Sequence, residues 1–379
     1  MTNNLIRYKS ILTGQPNLER LYELKKFPVF IGCSESPQNN DLFEDMKWDI
    51  CRDSGIIQLH NLIQLNIIYS GYHSEAIGGI WSKHLEAFLC FLSEFRPNKI
   101  LEIGGSNGTL ALQYTKENKS AKWTIIEPNP AFKGNAEINV VSGFFGESEG
   151  LITNFNDTDT IVHSHTLEHS YDPGKFIKSI SSFLKIGGKS IFSVPNLYQY
   201  LKNRFINTIN FEHTCFLTEP FIDYLLQRNQ LKIIKKRYFE EHSVFYAVEK
   251  VNCLKIPELP NKHSEYKTLY LDCMLFYDEE VNRLNSLIDE FNGDIFLFGA
   301  HVFSQFLIYK GLRSKKIAKV IDNSKLKTGK RLYGTNLFVE LPEITVGKKN
   351  IAVILKAGAY QEEVKKQLLE INPAIKIWE

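Results

Sequence analysis

The feature that most constrains this chain is a short apolar run that ends in glycines. Lys99 to Ile103 reads as a β-strand. The segment Leu101-Glu102-Ile103-Gly104-Gly105-Ser106-Asn107-Gly108-Thr109 then leads through a tight turn into a helical pattern over Leu110, Ala111 and Tyr114. Glycine lets a backbone turn sharply and approach a ligand, and the first turn of the next helix presents free N–H groups. Strand, glycine turn and helix in this order open a parallel α/β sheet, whose ligands bind beyond the carboxyl ends of the strands.

The following segments repeat the alternation. Strands are expected at Trp123 to Ile126, Val140 to Val141, Thr160 to His163 and Ser190 to Val194, with a helix through Phe176, Ile177, Ile180 and Leu184. An amphipathic helix from Ile77 to Phe95, with Trp81, Leu85, Phe88, Leu89 and Leu92 at helical spacing, leads into this unit. A helix at Pro220 to Gln227 and strands at Ile233 to Tyr238 and Ser243 to Glu249 are expected to close the sheet as an antiparallel edge. The fold class is therefore α/β, with a Rossmann-like core over 77–250 and a small irregular or short-stranded lobe over 1–76. After a Pro- and Lys-rich linker, a second, smaller α/β domain is expected over 264–379, with strands at Asp294 to Phe298, Ala318 to Ile321 and Asn350 to Leu355. A chain of 379 residues is long for one core, which agrees with this division.

Composition excludes more than it selects. The 45 Lys and Arg against 43 Asp and Glu leave a formal charge of +2, which gives no reason to expect nucleic-acid binding. The six cysteines are scattered without a C-x-x-C pair, as expected of reduced thiols. Neither a secretion signal nor an apolar run of membrane-spanning length is visible, so a cytoplasmic protein without membrane association is expected.

Glu127 ends the second strand in Thr124-Ile125-Ile126-Glu127-Pro128. A carboxylate there can accept hydrogen bonds from both ribose hydroxyls, and with the glycine turn it points to a nucleoside cofactor. A dinucleotide fingerprint would require glycines at 104, 106 and 109, but Ser106 and Thr109 stand there. That argues against a nicotinamide-dependent oxidoreductase.

The pattern Glu102-x-Gly104-x-x-x-Gly108 with Glu127 resembles class I S-adenosylmethionine-dependent methyltransferases. The resemblance implies S-adenosylmethionine as cofactor and S-adenosylhomocysteine as product. Glu102, Gly104, Gly105, Ser106, Asn107 and Gly108 would form the methionine side of the site, with Glu127 and Pro128 at the ribose. Phe144 and Phe145 would offer an aromatic face to the adenine, or else pack in the core. The segment His163-Ser164-His165-Thr166-Leu167-Glu168-His169 resembles the "LEH" segment of such enzymes. It implies His165 at the cofactor crevice and His169 facing either the substrate or the protein interior.

A narrower resemblance is to sugar C-methyltransferases acting on nucleotide-linked keto-deoxysugars. Their Tyr-His-Glu-His segment falls on Asn210-Phe211-Glu212-His213, so Glu-His is kept and Tyr-His is lost. The family pattern makes His213 the general base beside Glu212, with Tyr72 of Tyr69-Ser70-Gly71-Tyr72 as an oxyanion partner. The missing tyrosine leaves C- and O-methylation both open. The resemblance extends to the carboxyl half, an accessory domain that implies a nucleotide-sugar substrate in surface-polysaccharide or deoxysugar biosynthesis. There Lys325, Lys327, Lys330 and Arg331 would hold a pyrophosphate, or form an ordinary solvated face. A small-molecule O-methyltransferase outside sugar pathways and a non-catalytic partner subunit are the alternatives. The family often binds zinc through paired cysteines; only Cys33 and Cys51 remain, so no metal is expected unless His60 or His73 completes the site.

Overall fold

The structure, a computed structural model, describes residues 5–69, 79–145 and 157–379. The amino-terminal lobe is more regular than its sequence implies. Strands β1 (Leu18–Pro28), β2 (Phe43–Cys51) and β3 (Ile57–Leu59) form an antiparallel sheet in the order β1-β2-β3. The pairing of β1 shifts register between Arg20 and Tyr22 and between Leu24 and Phe27, and Lys26 adopts a positive φ of 51°. Such bulges break the alternation of apolar and polar residues, which hides an eleven-residue strand from a period-two reading.

The core begins with α1 (Gly79–Ser93), whose buried residues are His84, Phe88, Phe91 and Leu92. The expected apolar stripe thus lies about one position away from the face actually buried, because a buried histidine takes the place of Leu85. Next come β4 (Lys99–Ile103), α2 (Thr109–Glu117), β5 (Lys122–Glu127), β6 (Ile138–Ser142), β7 (Thr160–Ser164), α3 (Pro173–Phe183) and β8 (Lys189–Pro195). They are followed by α4 (Leu197–Lys202), α5 (Glu219–Arg228), β9 (Leu231–Phe239) and β10 (Ser243–Lys250). The sheet order is β9-β10-β8-β7-β4-β5-β6, parallel from β8 to β6, with β10 antiparallel to both of its neighbours. The two late strands close one side of the sheet antiparallel, with β9 at the edge and β10 between it and β8, its first six residues buried; β6 is the opposite edge. Succession along the chain reverses between β4 and β7, which opens a crevice at their carboxyl ends.

A long helix α6 (His263–Glu290) buries Tyr266, Tyr270, Cys273, Met274, Tyr277, Val281, Leu284 and Ile288 along one stripe. It leads to β11 (Asp294–Phe298), α7 (Val302–Tyr309), β12 (Ile317–Ile321), β13 (Val339–Glu340), β14 (Ile351–Leu355), α8 (Gln361–Ile371) and β15 (Lys376–Trp378). This second sheet is parallel throughout, in the order β13-β12-β11-β14-β15, and reverses between β11 and β14. One continuous apolar core joins the parts. Trp48 from the amino-terminal lobe, Phe216 from the loop after α4 and Tyr270 from α6 meet edge to face or tilted, with ring centroids 5.3 to 6.2 Å apart. The short strand Cys33–Ser34 pairs with Arg331–Leu332, which ties the lobe to the second sheet. Both carboxyl-end crevices consequently open onto one space.

Candidate active site

The glycine turn after β4 is shaped by contacts that leave no room for side chains. Gly104 has φ +77°, and a Cβ there would lie 2.9 Å from Thr166 Oγ1. At Gly105 a Cβ would meet Ile125 Cγ2 at 2.6 Å. Gly104 N–H donates to Ile126 O at 2.9 Å, which fastens the turn to the end of β5. Ser106, at φ 46°, donates its backbone N–H to Glu127 Oε2 at 3.1 Å. Glu127 Oε1 accepts a second bond, from Asn129 N–H at 3.1 Å. Asn107 caps the approach to α2 by accepting from Thr109 N–H and Oγ1, at 3.1 and 2.6 Å. Gly108 precedes the helix at φ +72°, with Phe132 where a side chain would go.

Glu102 sits underneath this turn. Only 4% exposed, it is absent from the cavity wall and accepts a hydrogen bond from Trp123 Nε1 at 2.8 Å. Burial, opposed in part by that bond, lifts its carboxyl to about 7. Its part is to support the loop that Gly105 and Ile125 complete. Gly104, Ser106, Glu127, Pro128, Phe144 and Phe145 do face the cavity. Phe144 meets Tyr69 edge to face at 5.8 Å, whereas Phe145 also packs against Phe176 and Phe183 and so serves the core as well.

The turn after β7 brings a different set of groups. His163 is a core residue, stacked on Phe192 at 4.6 Å. His165, at φ 50°, faces the cavity, with Nε2 3.0 Å from Ser243 Oγ and Nδ1 3.3 Å from Glu168 Oε1. Burial holds the His165 imidazole down to about 3 and raises the Glu168 carboxyl to about 7. His169 ends the short helical turn Leu167–His169, and its ring meets that of His213 edge to face at 4.6 Å. His213 is held well below the usual imidazole range by burial first, then by His169 and His165. It is therefore a neutral ring at neutral pH.

Asn210 explains how Glu212 and His213 reach the cavity. Its Oδ1 accepts the backbone N–H groups of both residues at 2.9 Å, and its Nδ2 donates to Asn207 O at 2.9 Å. Asn210 is thus a buried turn-forming amide. Tyr72 and His73 lie outside the described residues.

Sequence reading missed the residue that fastens the two histidine loops together. Arg7 is buried, and its guanidinium donates to Thr214 O at 2.8 Å, Thr214 Oγ1 at 3.2 Å and Tyr171 O at 2.6 Å. These carbonyls follow His213 and His169 closely in the chain. An isolated arginine in an irregular-looking segment carries no motif, so only tertiary contacts expose its role.

The cavity has a volume of about 1190 Å³ and continues to the carboxyl ends of β11, β12 and β14. There it is lined by His301, Asp322, Ser324, Lys327 and Lys356, with Tyr333 at the side of the lobe. The basic cluster expected at this end is mostly committed elsewhere. Arg331 forms a buried two-pronged pair with Asp41 at 2.7 and 2.8 Å, and Lys330 pairs with Glu35 at 3.0 Å. Of the four residues only Lys327 lines the cavity, 3.1 Å from Asp322 Oδ2. The cysteines are all free, His60 is engaged by Asp49 at 2.7 Å, and neither Cys33 nor Cys51 belongs to a metal-spaced group among the described residues. No described helix is long and apolar enough to cross a membrane.

Residues 79–236 match the family model of a methyltransferase domain. No curated protein matches the chain by sequence. Among solved structures, an O-methyltransferase family protein from Burkholderia thailandensis aligns at 11% identity over 45% of this chain and 56% of its own, with a TM-score of 0.38. The 1,6-didemethyltoxoflavin-N1-methyltransferase of the same organism, with S-adenosylhomocysteine bound, aligns at 14% identity over 46% of this chain and 82% of its own, TM-score 0.37. Human N-acetylserotonin methyltransferase, in complex with SAM, aligns at 15% identity over 46% and 53%, TM-score 0.38. The chain thus spans about half the length of the first and third of these, at 56% and 53%.

Proposed function

We propose that this chain, which carries a methyltransferase domain over residues 79–236, is an S-adenosylmethionine-dependent methyltransferase whose acceptor is a nucleotide-activated sugar. The observation that carries this reading is the single cavity of about 1190 Å³ running from Glu127 to Lys327. Ligand sites for one small molecule occupy roughly 300–1000 Å³. This space suits a donor at one sheet and an extended acceptor reaching the other.

The residues present fit an adenosyl donor. Gly104 and Gly105 leave backbone where any side chain would intrude, and Glu127 offers lone pairs beyond the two it uses for Ser106 and Asn129. When bound, S-adenosylmethionine supplies an electrophilic methyl carbon on sulfur. The protein's task is then to align the acceptor atom behind that carbon and to remove its proton. His213, neutral and beside His169, takes that proton, from a carbon next to a ketone or from a sugar hydroxyl. Lys327 and His301 lie at the far end of the cavity, where an acceptor's phosphates would extend.

Calorimetry with S-adenosylhomocysteine, followed by incubation of the donor with a panel of nucleotide sugars, tests the reading. A product heavier by one methylene, with the new methyl located by NMR, is the expected outcome. No heat with S-adenosylhomocysteine removes the donor assignment; binding without transfer to any nucleotide sugar removes the acceptor assignment.

A further inference from the structure

We propose that Glu168, His169 and His213 form a binding site for one divalent first-row transition-metal cation, facing the acceptor half of the cavity. The three residues reach one point from two separate loops, and one ligand atom from each lies within 4.8 Å of the others. Donor atoms bonded to one ion at about 2.0–2.2 Å sit about 3–3.5 Å apart, so the set would have to draw together by about 1.5 Å at most to hold an ion.

Unmet polar groups supply the independent argument. Glu168 is 2% exposed, yet neither carboxylate oxygen receives a hydrogen bond among the described residues. The Nδ1 of His213 is likewise buried without a hydrogen-bond partner. Buried polar atoms without hydrogen-bond partners are rare in folded proteins, and a buried carboxylate with only an imidazole 3.3 Å from one oxygen is costly. One cation satisfies both residues at once. His165, with Nδ1 3.3 Å from Glu168 Oε1, stands behind the carboxylate as its outer partner.

Two imidazoles and one carboxylate select zinc, manganese, iron or cobalt over magnesium and calcium. This set leaves coordination positions open toward the cavity, where Glu212 and Tyr200 also lie. A second group, His84, His165 and His242, has comparable spacing. Its rings already meet hydroxyls, His84 with Ser193 at 2.8 Å and His165 and His242 with Ser243 at 3.0 and 2.6 Å. That group is satisfied without an ion. The sequence reading, which expected no metal from Cys33 and Cys51, did not consider this set of residues. What the ion would do rests on the methyl-transfer reading: an acceptor oxygen would occupy an open position and be acidified by the ion, His213 would be a ligand instead of the base, and the Glu212 carboxylate would take the acceptor's proton.

The test uses the full-length, tag-free protein, stripped with a chelator and titrated with Co²⁺, Zn²⁺ and Mn²⁺. One equivalent of Co²⁺, with visible absorption and metal content confirmed by mass spectrometry, is expected. His169→Gln and His213→Gln should weaken Co²⁺ binding on the order of 100-fold, and Glu168→Gln at least tenfold, while S-adenosylhomocysteine affinity stays within about threefold in each folded variant. Absence of stoichiometric metal in the wild type, or full retention in His169→Gln and His213→Gln, overturns the proposal. So does loss of Co²⁺ in His84→Gln alone, which would locate the ion at the other histidine group. A protein that binds Co²⁺ but no S-adenosylhomocysteine would refute the donor reading and leave the cation site standing.

Discussion

Glu127→Ala is the perturbation that most directly probes the donor site. In the structure this carboxylate already orders the turn through Ser106 N–H at 3.1 Å and Asn129 N–H at 3.1 Å, with lone pairs left for a ribose diol. A hydrogen bond to a charged group contributes about 1.5–3 kcal/mol net. Two ribose bonds share one carboxylate, and the freed hydroxyls regain water, so the loss should total about 3 kcal/mol. Since each 1.4 kcal/mol is tenfold, Kd for S-adenosylhomocysteine should rise roughly 150-fold. Glu127→Gln keeps one acceptor but turns an amide NH₂ toward backbone N–H donors, and should cost about tenfold. The half-buried side chain also holds the Ser106 and Asn129 N–H groups, so Glu127→Ala should lower thermal stability by about 1–3 kcal/mol. Calorimetry reads the affinity and a thermal melt reads the fold. A folded Glu127→Ala that binds within threefold of wild type would refute the argument that this acid holds the ribose.

Four further outcomes follow from the same geometry. Gly105→Ala drives a methyl to 2.6 Å from Ile125 Cγ2, so it should destabilise by about 1–3 kcal/mol and weaken donor binding, seen as a lower melting temperature and a raised Kd. Glu102 carries a pH signature. Its folded-state carboxyl lies near 7 against an unfolded 4.5, so the native state binds the extra proton between these values and stability falls as pH rises through that window, by up to about 3 kcal/mol; Glu102→Gln, which still accepts from Trp123, should flatten that slope in denaturant titrations at pH 5 and 8. Arg7→Met removes charged donors to Thr214 and Tyr171 carbonyls and should cost about 3 kcal/mol in chemical denaturation, with kcat for methyl transfer falling more than donor affinity. Lys327→Ala should raise KM for a nucleotide sugar about tenfold and leave S-adenosylhomocysteine binding unchanged; an unaltered KM would detach the acceptor's phosphates from this end of the cavity.

Local sequence determined the core strands, the glycine turn and the acid at the end of β5, because these are properties of a few consecutive residues. The strand-turn-helix punctuation Ile103-Gly104-Gly105 and the Thr124–Glu127 run state their conformation directly, and residues 294–300 repeat the form in the second sheet. Sequence could also nominate His169, Glu212 and His213 as chemistry-bearing. It could not put them in one place. That required Asn210 to wind a turn under Glu212 and His213 and Arg7 to clamp loops more than 160 residues away, contacts that leave no periodic trace. Bulges concealed β1 for the same reason, since irregular pairing erases the alternation on which strand reading depends. Whether a charged side chain is free or spent is likewise a tertiary matter: Arg331 and Lys330 look like Lys327 in the sequence, but Asp41 and Glu35 had already claimed them. Patterns along the chain specify which backbone forms and which groups are available; burial, partners and the meeting of distant loops decide what those groups can do.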